Sequence, residues 1–148
     1  MNVEEIIKTD KKIPLERRTI IHLSLVCNKI DDEVSSALKP FDISIQQFNV
    51  LRILRGQKGK PANLSTINER MVTKSSNTTR LVDKLLLKKY VNRDVCPENR
   101  RKVEISITEK GLDFLNQIDG ILFETEEQIL SDFSETELSE LNRLLDKF

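Results

Sequence analysis

Apolar side chains recur at steps of three and four residues along residues 15–39, which is the spacing of one helix face. The positions are Ile20, Leu23, Leu25, Val26, Ile30, Val34 and Leu38. Pro40 follows and is predicted to end this helix, because proline cannot continue its hydrogen bonding. A second helix is predicted from Ser44, a candidate N-cap, through Arg55, with Gly56 as its C-terminal stop.

Two shorter helices are predicted next, with a brief break between them. Asn63 caps the first, which runs to about Met71, and Thr73 opens the second, which runs to about Lys89. Ser76 and Asn77 are assigned to the first turn of the second helix. Its side chains predicted to project outward are Lys74, Ser75, Asn77, Arg80, Lys84 and Lys88. Such a pair is typical of a helix-turn-helix, although ordinary helical hairpins with polar turns share the pattern.

A β-hairpin is predicted directly after this helix pair. Residues 90–95 form one strand, and strict alternation of apolar and polar residues over 103–108 indicates a half-buried second strand. The turn predicted between them carries three consecutive cations at its tip: Arg100, Arg101 and Lys102. A hairpin in this place is a wing, whose narrow tip can enter a minor groove. The alternative is a hairpin whose charges only aid solubility.

The C-terminal part of the chain is predicted to form two amphipathic helices. Thr108 caps the first, whose apolar positions continue to Phe133, and Ser134 starts the second with capping-box spacing to Glu137. Together with the helix over 15–39, they carry more apolar surface than a small winged domain can cover. We therefore expect an intertwined homodimer interface, the alternative being a bundle within one chain.

Charge is distributed unevenly, although the formal net charge is zero. Residues 41–107 carry fourteen basic and six acidic side chains, whereas residues 108–148 carry three basic and eleven acidic ones. Such asymmetry indicates a nucleic-acid or membrane contact in the middle of the chain, or simply an unevenly charged surface. The chain has only six Phe, one Tyr and no Trp. We therefore do not expect a surface of aromatic side chains that binds single-stranded nucleic acid by stacking on its bases.

Other function classes find little support in the sequence. The chain has no apolar stretch that could span a membrane and no apolar signal-peptide core, so a cytoplasmic protein is expected. Cys27, Cys96 and His22 cannot make a structural zinc site, and no cofactor is expected. No phosphate-binding glycine loop or nucleophile elbow is present, and no histidine is available as a base beyond His22, so we predict no enzyme.

Several segments together resemble the MarR family of bacterial transcription regulators. They are Asn63–Met71, Ser76, Thr79–Leu85, Tyr90–Arg93, Asn99–Arg101 and Ile107–Gly111. The resemblance covers about residues 15–148. Three positions depart from the family pattern. Asn99 replaces the Asp that is usual in the wing, Asn68 replaces a small residue such as Ala, and Val72 replaces the Gly that is usual in the turn.

The resemblance implies a mainly α fold with a small β-wing, in which terminal helices form a dimerisation lobe around a winged helix-turn-helix. The corresponding regions are an N-terminal extension (1–14), a dimerisation helix (15–40), a DNA-binding lobe (41–107) and C-terminal dimerisation helices (108–148). The family's usual role is that of a repressor: a homodimer on a pseudo-palindromic promoter site, released by a ligand or by oxidation. The expected ligand is a small aromatic or phenolic effector.

Roles on duplex DNA follow from the residue types. Ser75, Ser76 and Asn77 are predicted to reach base edges, and Thr79 and Arg80 to hold phosphate or a guanine edge. We also expect Lys74 and Lys102 to contact DNA. Arg100 and Arg101 are predicted to enter the flanking minor groove, and His22 and Cys27 to line an effector pocket.

Two alternative functions remain on the same sequence. One is a thiol-redox sensor that uses Cys27 or Cys96, and the other is a winged-helix protein–protein module without DNA binding. Cys96 is expected to be exposed beside three cations, which favours its thiolate, whereas Cys27 is expected to be an inert buried thiol.

Overall fold

The computed structural model describes residues 1–72, 77–96 and 99–148, except for the side chains of residues 96 and 99–101. The helices are α1 (Val3–Ile6), α2 (Leu15–Leu38), α3 (Ile45–Gly56), α4 (Leu64–Arg70), α5 (Thr78–Leu87), α6 (Glu109–Ile129) and α7 (Glu135–Leu145). A 3₁₀ turn (Lys39–Phe41) separates α2 from α3, and strands β1 (Val91–Cys96) and β2 (Asn99–Ile107) form an antiparallel hairpin. The predicted mainly helical fold with a small β-wing is confirmed.

Side-chain caps fix where several helices begin. Ser44, Thr108 and Ser134 precede α3, α6 and α7, and each accepts a hydrogen bond from the backbone N–H three residues later. In α3 and α7 the side chain of the third helical residue accepts a hydrogen bond from the backbone N–H of the cap residue, which completes a capping box. The predicted starts of these three helices are therefore confirmed.

The end of α6 and the N-terminal extension show features that the sequence pattern did not predict. Helix α6 ends at Ile129, before Phe133, because the chain turns and the Phe133 N–H donates to the Leu130 carbonyl at 3.0 Å. The N-terminal extension contains the short helix α1, whose Val3 is fully buried. The Arg18 guanidinium of α2 binds both carboxylate oxygens of Glu4, at 2.8 and 3.2 Å, and so ties α1 to α2.

One continuous core joins the middle of the chain to α2 and α6. Its largest fully buried side chains are Leu38, Leu51, Leu54, Ile67, Leu85, Ile105, Leu115 and Ile118. A two-way backbone bridge between Ala62 and Ile105, with bonds of 2.9 and 2.8 Å, attaches the chain just before α4 to β2. The wing and the helix pair α4–α5 are thereby held as one body.

The helices at the two ends of the chain leave much apolar surface uncovered in the single chain. Exposed apolar side chains on or beside α2, α6 and α7 include Leu15, Ile20, Phe123, Phe133, Leu141, Leu144, Leu145 and Phe148. Helix α7 buries no residue at all. None of the described helices is long and apolar enough to cross a membrane.

Candidate nucleic-acid interface

A polar tether joins the two helices of the predicted helix-turn-helix. Thr78, at the start of α5, is 7% exposed, and its hydroxyl donates to the side-chain oxygen of Asn68 in α4 at 3.2 Å. In the family that the sequence resembles, the position of Asn68 usually holds a small residue such as Ala. Buried hydroxyls are normally hydrogen-bonded, and this replacement supplies an acceptor for Thr78.

The described part of α5 begins later than the sequence predicted. Its first helical residue is Thr78, and Asn77 is the N-cap, with a side-chain oxygen that accepts the Arg80 N–H at 3.3 Å. The assignment of Asn77 to the first turn is therefore wrong, because its short amide side chain replaces a missing backbone partner, as asparagine does at caps. Thr73, Lys74, Ser75 and Ser76 lie outside the described residues.

The exposed side of α5 is polar and cationic. Asn77, Arg80 and Lys84 are exposed, as predicted, and Thr79 is exposed as well. Lys88, also predicted to project outward, instead pairs with Asp42 in the turn before α3. Hydrogen bonding to the Lys88 ammonium, followed by that group's charge, holds the pKa of Asp42 below its ordinary value.

An ion pair joins the hairpin to α5, the second helix of the pair. Arg93 on β1 contacts the carboxylate of Asp83 on α5 at 2.8 Å. The Nε and Nη2 atoms of Arg93 are buried without a hydrogen-bond partner in the described part of the chain. Sequence analysis missed this pair, because no periodicity relates a helix residue to a strand residue. Their opposite charges in neighbouring elements were the only available signal.

The second strand of the hairpin begins earlier than predicted. Strand β1 extends to Cys96 and β2 begins at Asn99, and these two residues are register partners. The backbones of Arg100, Arg101 and Lys102 therefore belong to β2, and their assignment to a turn over residues 96–102 is wrong. The Lys102 side chain is exposed, whereas the side chains of Arg100 and Arg101 are outside the described set.

The two residues predicted to line an effector pocket, His22 and Cys27, both lie on α2. His22 is half-buried, as expected, whereas the expectation of a buried Cys27 is wrong for the single chain. Cys27 is exposed because it lies on a part of α2 that none of the described elements covers. A cavity of about 770 Å³ opens between α2, α3 and α5, and neither His22 nor Cys27 lines it.

Metal chemistry finds no support in the residues that the structure describes. They contain no group of three or more His, Cys, Asp or Glu side chains close enough to hold a metal ion.

Comparison with known proteins identifies this arrangement. The MarR family model matches residues 43–103, which span α3, the helix pair and most of the wing. The HTH-type transcriptional regulator PecS of Dickeya dadantii is 33% identical over 130 residues, which cover 86% of this chain and 75% of that protein. The chain belongs to the MarR family. It is a DNA-binding transcription regulator with a winged helix-turn-helix, and its relatives are regulators rather than enzymes.

Solved structures of the family agree with the fold. A MarR-like transcription regulator from Bacillus cereus has a TM-score of 0.82 at 25% identity, covering 89% of this chain and 94% of that one. A cysteine-to-serine variant of MarR from Escherichia coli, complexed with operator DNA, has a TM-score of 0.76 at 25% identity. That match covers 99% of this chain and 98% of the other, so the MarR fold extends over nearly the whole chain.

Proposed function

We propose that this MarR-family protein is a homodimeric repressor that binds a pseudo-palindromic promoter site and is released by a small effector. The observation that carries the proposal is the exposed apolar surface of α2, α6 and α7. Helix α7 carries four leucines and buries none of its residues in the single chain. Such a face is stabilised only when another apolar surface covers it, and a second copy supplies an identical one.

The DNA contacts of each protomer come from α5 and the wing. Asn77, Thr79 and Arg80 form the exposed start of the described α5, which is the part of a recognition helix that meets base edges and phosphates. Lys74, Ser75 and Ser76 precede it in sequence and are proposed to extend the same contact. Arg100, Arg101 and Lys102 on β2 are proposed to hold the flanking backbone and minor groove.

Effector release is supported by the way α2 and α6 connect to the DNA-binding elements. Helix α2 of the dimerisation lobe packs on α6, and both contribute to the core that holds α3 and the recognition helix. A ligand that changes the packing between these helices changes the distance between the two recognition helices of a dimer. Binding of DNA and of effector are then linked by a shared conformational equilibrium.

Sedimentation equilibrium combined with a mobility shift tests the proposal. The full chain should sediment as a dimer and shift DNA from its own upstream region as one two-protomer complex. Leu141→Ser with Leu145→Ser, which places hydroxyls on the exposed face of α7, should weaken dimerisation and DNA binding together. Leu87→Ser is the matched control, because Leu87 is 84% exposed but lies at the end of α5, outside the proposed dimer surface.

The proposal fails if the full chain is a monomer at micromolar concentration, or if the double variant dimerises as well as the control. Loss of a reporter gene's expression on induction of the protein supports repression, and increased expression contradicts it.

Thiol sensing is a second candidate, favoured by one observation. Cys27 is exposed in the single chain, and it is open to an oxidant as long as the second protomer does not cover that part of α2. Stoichiometric peroxide should leave DNA affinity within about twofold for a ligand-released regulator. A large loss of affinity that Cys27→Ser or Cys96→Ser abolishes would favour the redox function instead.

A further inference from the structure

Three polar contacts attach α5 to three different parts of the chain. Each joins a residue on or at the end of α5 to a residue of another element, and the pairs are Thr78–Asn68, Asp83–Arg93 and Lys88–Asp42. The partner residues lie on α4, on β1 and in the turn before α3, respectively. Helix α5 is therefore held by directional polar contacts as well as by the packing of its apolar face.

The spacing of the three α5 residues places these contacts on different sides of the helix. Thr78, Asp83 and Lys88 follow one another at intervals of five residues, and at about 100° per residue they lie about 140° apart around the helix axis. Thr78 belongs to the buried face, together with Val82 and Leu85. In this projection Asp83 and Lys88 lie on the two flanks of that face.

The exposed face of α5 lies between those two flanks. Arg80 and Lys84 are exposed, and both fall between Asp83 and Lys88 in the same projection. The exposed face is thus bordered by an ion pair on each side, and the Thr78 hydrogen bond lies behind it. A rotation of α5 about its own axis changes the geometry of all three contacts, so together they fix how the exposed side chains are aimed.

The rotation of a recognition helix affects base contacts more than phosphate contacts. A rotation of about 10° moves a side-chain tip at a radius of about 5–6 Å by about 1 Å. Hydrogen bonds to base edges require donor–acceptor distances of about 2.7–3.2 Å, so a shift of that size breaks them. Long lysine and arginine side chains can follow a phosphate over the same distance, and contacts to phosphate carry no sequence information.

We propose that Asn68 of α4 is a positioning residue that determines which base pairs α5 prefers. It acts through Thr78, whose side chain is 7% exposed and directly follows the N-cap residue Asn77. The ion pairs on the flanks use the long side chains of Arg93 and Lys88, which tolerate small rotations. The short Thr78 and Asn68 side chains, whose oxygen atoms are 3.2 Å apart, do not. This inference rests on the proposed contact of α5 with bases and assigns sequence preference to a residue of the preceding helix.

Fluorescence anisotropy with two duplexes of equal length tests the proposal. One duplex is selected by the full chain from a random pool, the other has a random sequence, and the ratio of the two affinities measures sequence preference. Thr78→Val keeps the shape of the side chain and removes its hydroxyl. It should lower the ratio at least fivefold, while the affinity for random DNA stays within twofold and circular dichroism shows a folded protein.

Two further variants separate positioning from the loss of a hydroxyl as such. Thr78→Ser retains the hydroxyl and should keep the ratio within twofold of the wild-type value, although it removes a buried methyl group. Thr125→Val is the matched control, because the Thr125 hydroxyl of α6 also makes a hydrogen bond, to the Ile121 carbonyl at 2.8 Å. Its removal should leave the ratio unchanged.

A double-mutant cycle tests whether Asn68 and Thr78 act through one contact. Asn68→Ala alone should lower the ratio by a factor similar to that of Thr78→Val. The double variant should lower it no further than the larger single effect, because the contact can be lost only once. A second selection with Asn68→Ala should then enrich a motif that differs from the wild-type motif within each half-site.

The proposal is overturned if Asn68→Ala keeps the wild-type ratio, if Thr78→Ser lowers the ratio as much as Thr78→Val, or if the two single effects add. Asn77→Ala combined with Arg80→Ala separates this failure from failure of the proposed function. A ratio lowered by that double variant but not by Asn68→Ala overturns the positioning role alone. A ratio that neither changes, or a selection that enriches no sequence, overturns base reading by α5 itself.

Discussion

Gly111 allows a close backbone approach where the start of β1, the end of β2 and the start of α6 meet. A Cβ at this position of α6 would lie 2.3 Å from the Tyr90 carbonyl oxygen and 2.9 Å from Cγ1 of Ile107. The same Tyr90 oxygen accepts the Thr108 N–H at 3.0 Å, and the Tyr90 ring stacks on Phe114 with centroids 4.3 Å apart. A side chain at position 111 would therefore have to displace backbone rather than a flexible side chain.

Gly111→Ala should lower the free energy of unfolding by about 1–3 kcal/mol, because it forces a methyl group into occupied space. Urea unfolding of the full chain measures the change. Gly56→Ala is the control, since Gly56 lies at the end of α3 with nothing within 4 Å of a Cβ. It should be neutral or raise the free energy of unfolding by up to about 1 kcal/mol. Equal effects of the two substitutions would contradict this account of the junction.

Among the structural elements, the turn before α3 and the end of α5 are joined by the Asp42–Lys88 pair. Asp42 adopts a left-handed backbone conformation, with φ of 53°, which asparagine also tolerates. The lowered pKa of the Asp42 carboxyl means that its ionised form is favoured in the folded chain. Its stabilising contribution is therefore present above the unfolded-state pKa and is lost as the pH falls through the folded-state pKa.

Asp42→Asn should be destabilising near neutral pH and progressively less so below about pH 4, where the wild-type carboxyl becomes protonated. Urea unfolding as a function of pH measures this difference. In a Lys88→Gln background the pH dependence of the Asp42→Asn effect should largely disappear, because the cation that lowers the pKa is gone. A pH dependence that is unchanged in that background would assign the effect to other groups.

The wing is the second element with a defined expectation. Arg100 and Arg101 lie on β2 next to its first residue, in a lobe whose sequence is strongly basic. Cations that neutralise phosphates release counterions, so the logarithm of the affinity falls steeply with the logarithm of the salt concentration.

Arg100→Ala with Arg101→Ala should weaken binding to operator and random DNA alike and reduce the salt slope by roughly one to two units per protomer. Lys11→Ala with Lys12→Ala removes the same charge from the exposed N-terminal segment and should leave the slope unchanged. Fluorescence anisotropy over a salt series provides both slopes. The same slope for both double variants would place the wing away from DNA.

The sequence predicts elements well where the controlling interaction is local. Ser44, Thr108 and Ser134 are found as caps because each interaction spans three residues. The ion pair between Asp83 and Arg93 joins different elements and therefore leaves no periodic signal. Exposure of Cys27 was also missed, because an apolar helix face predicts burial without indicating whether the same chain or a second one covers it.

On the scale of the whole molecule, charge and apolar surface are separated along the chain. Residues 41–107 carry the excess of basic side chains, and residues 108–148 carry the excess of acidic ones together with α7. A dimer formed through α2, α6 and α7 would keep its acidic ends away from DNA and present two basic lobes to one duplex. The two-fold symmetry of such a dimer must then be matched by the binding site.

Selection of duplexes from a random pool by the full chain tests this central claim most directly. The account predicts that the enriched sequences share an inverted repeat, with half-site centres separated by about one helical turn of 10–10.5 base pairs or a multiple of it. Each selected duplex should bind two protomers in sedimentation. Enrichment of a single asymmetric half-site bound by one protomer, or no enrichment at all, would contradict the account.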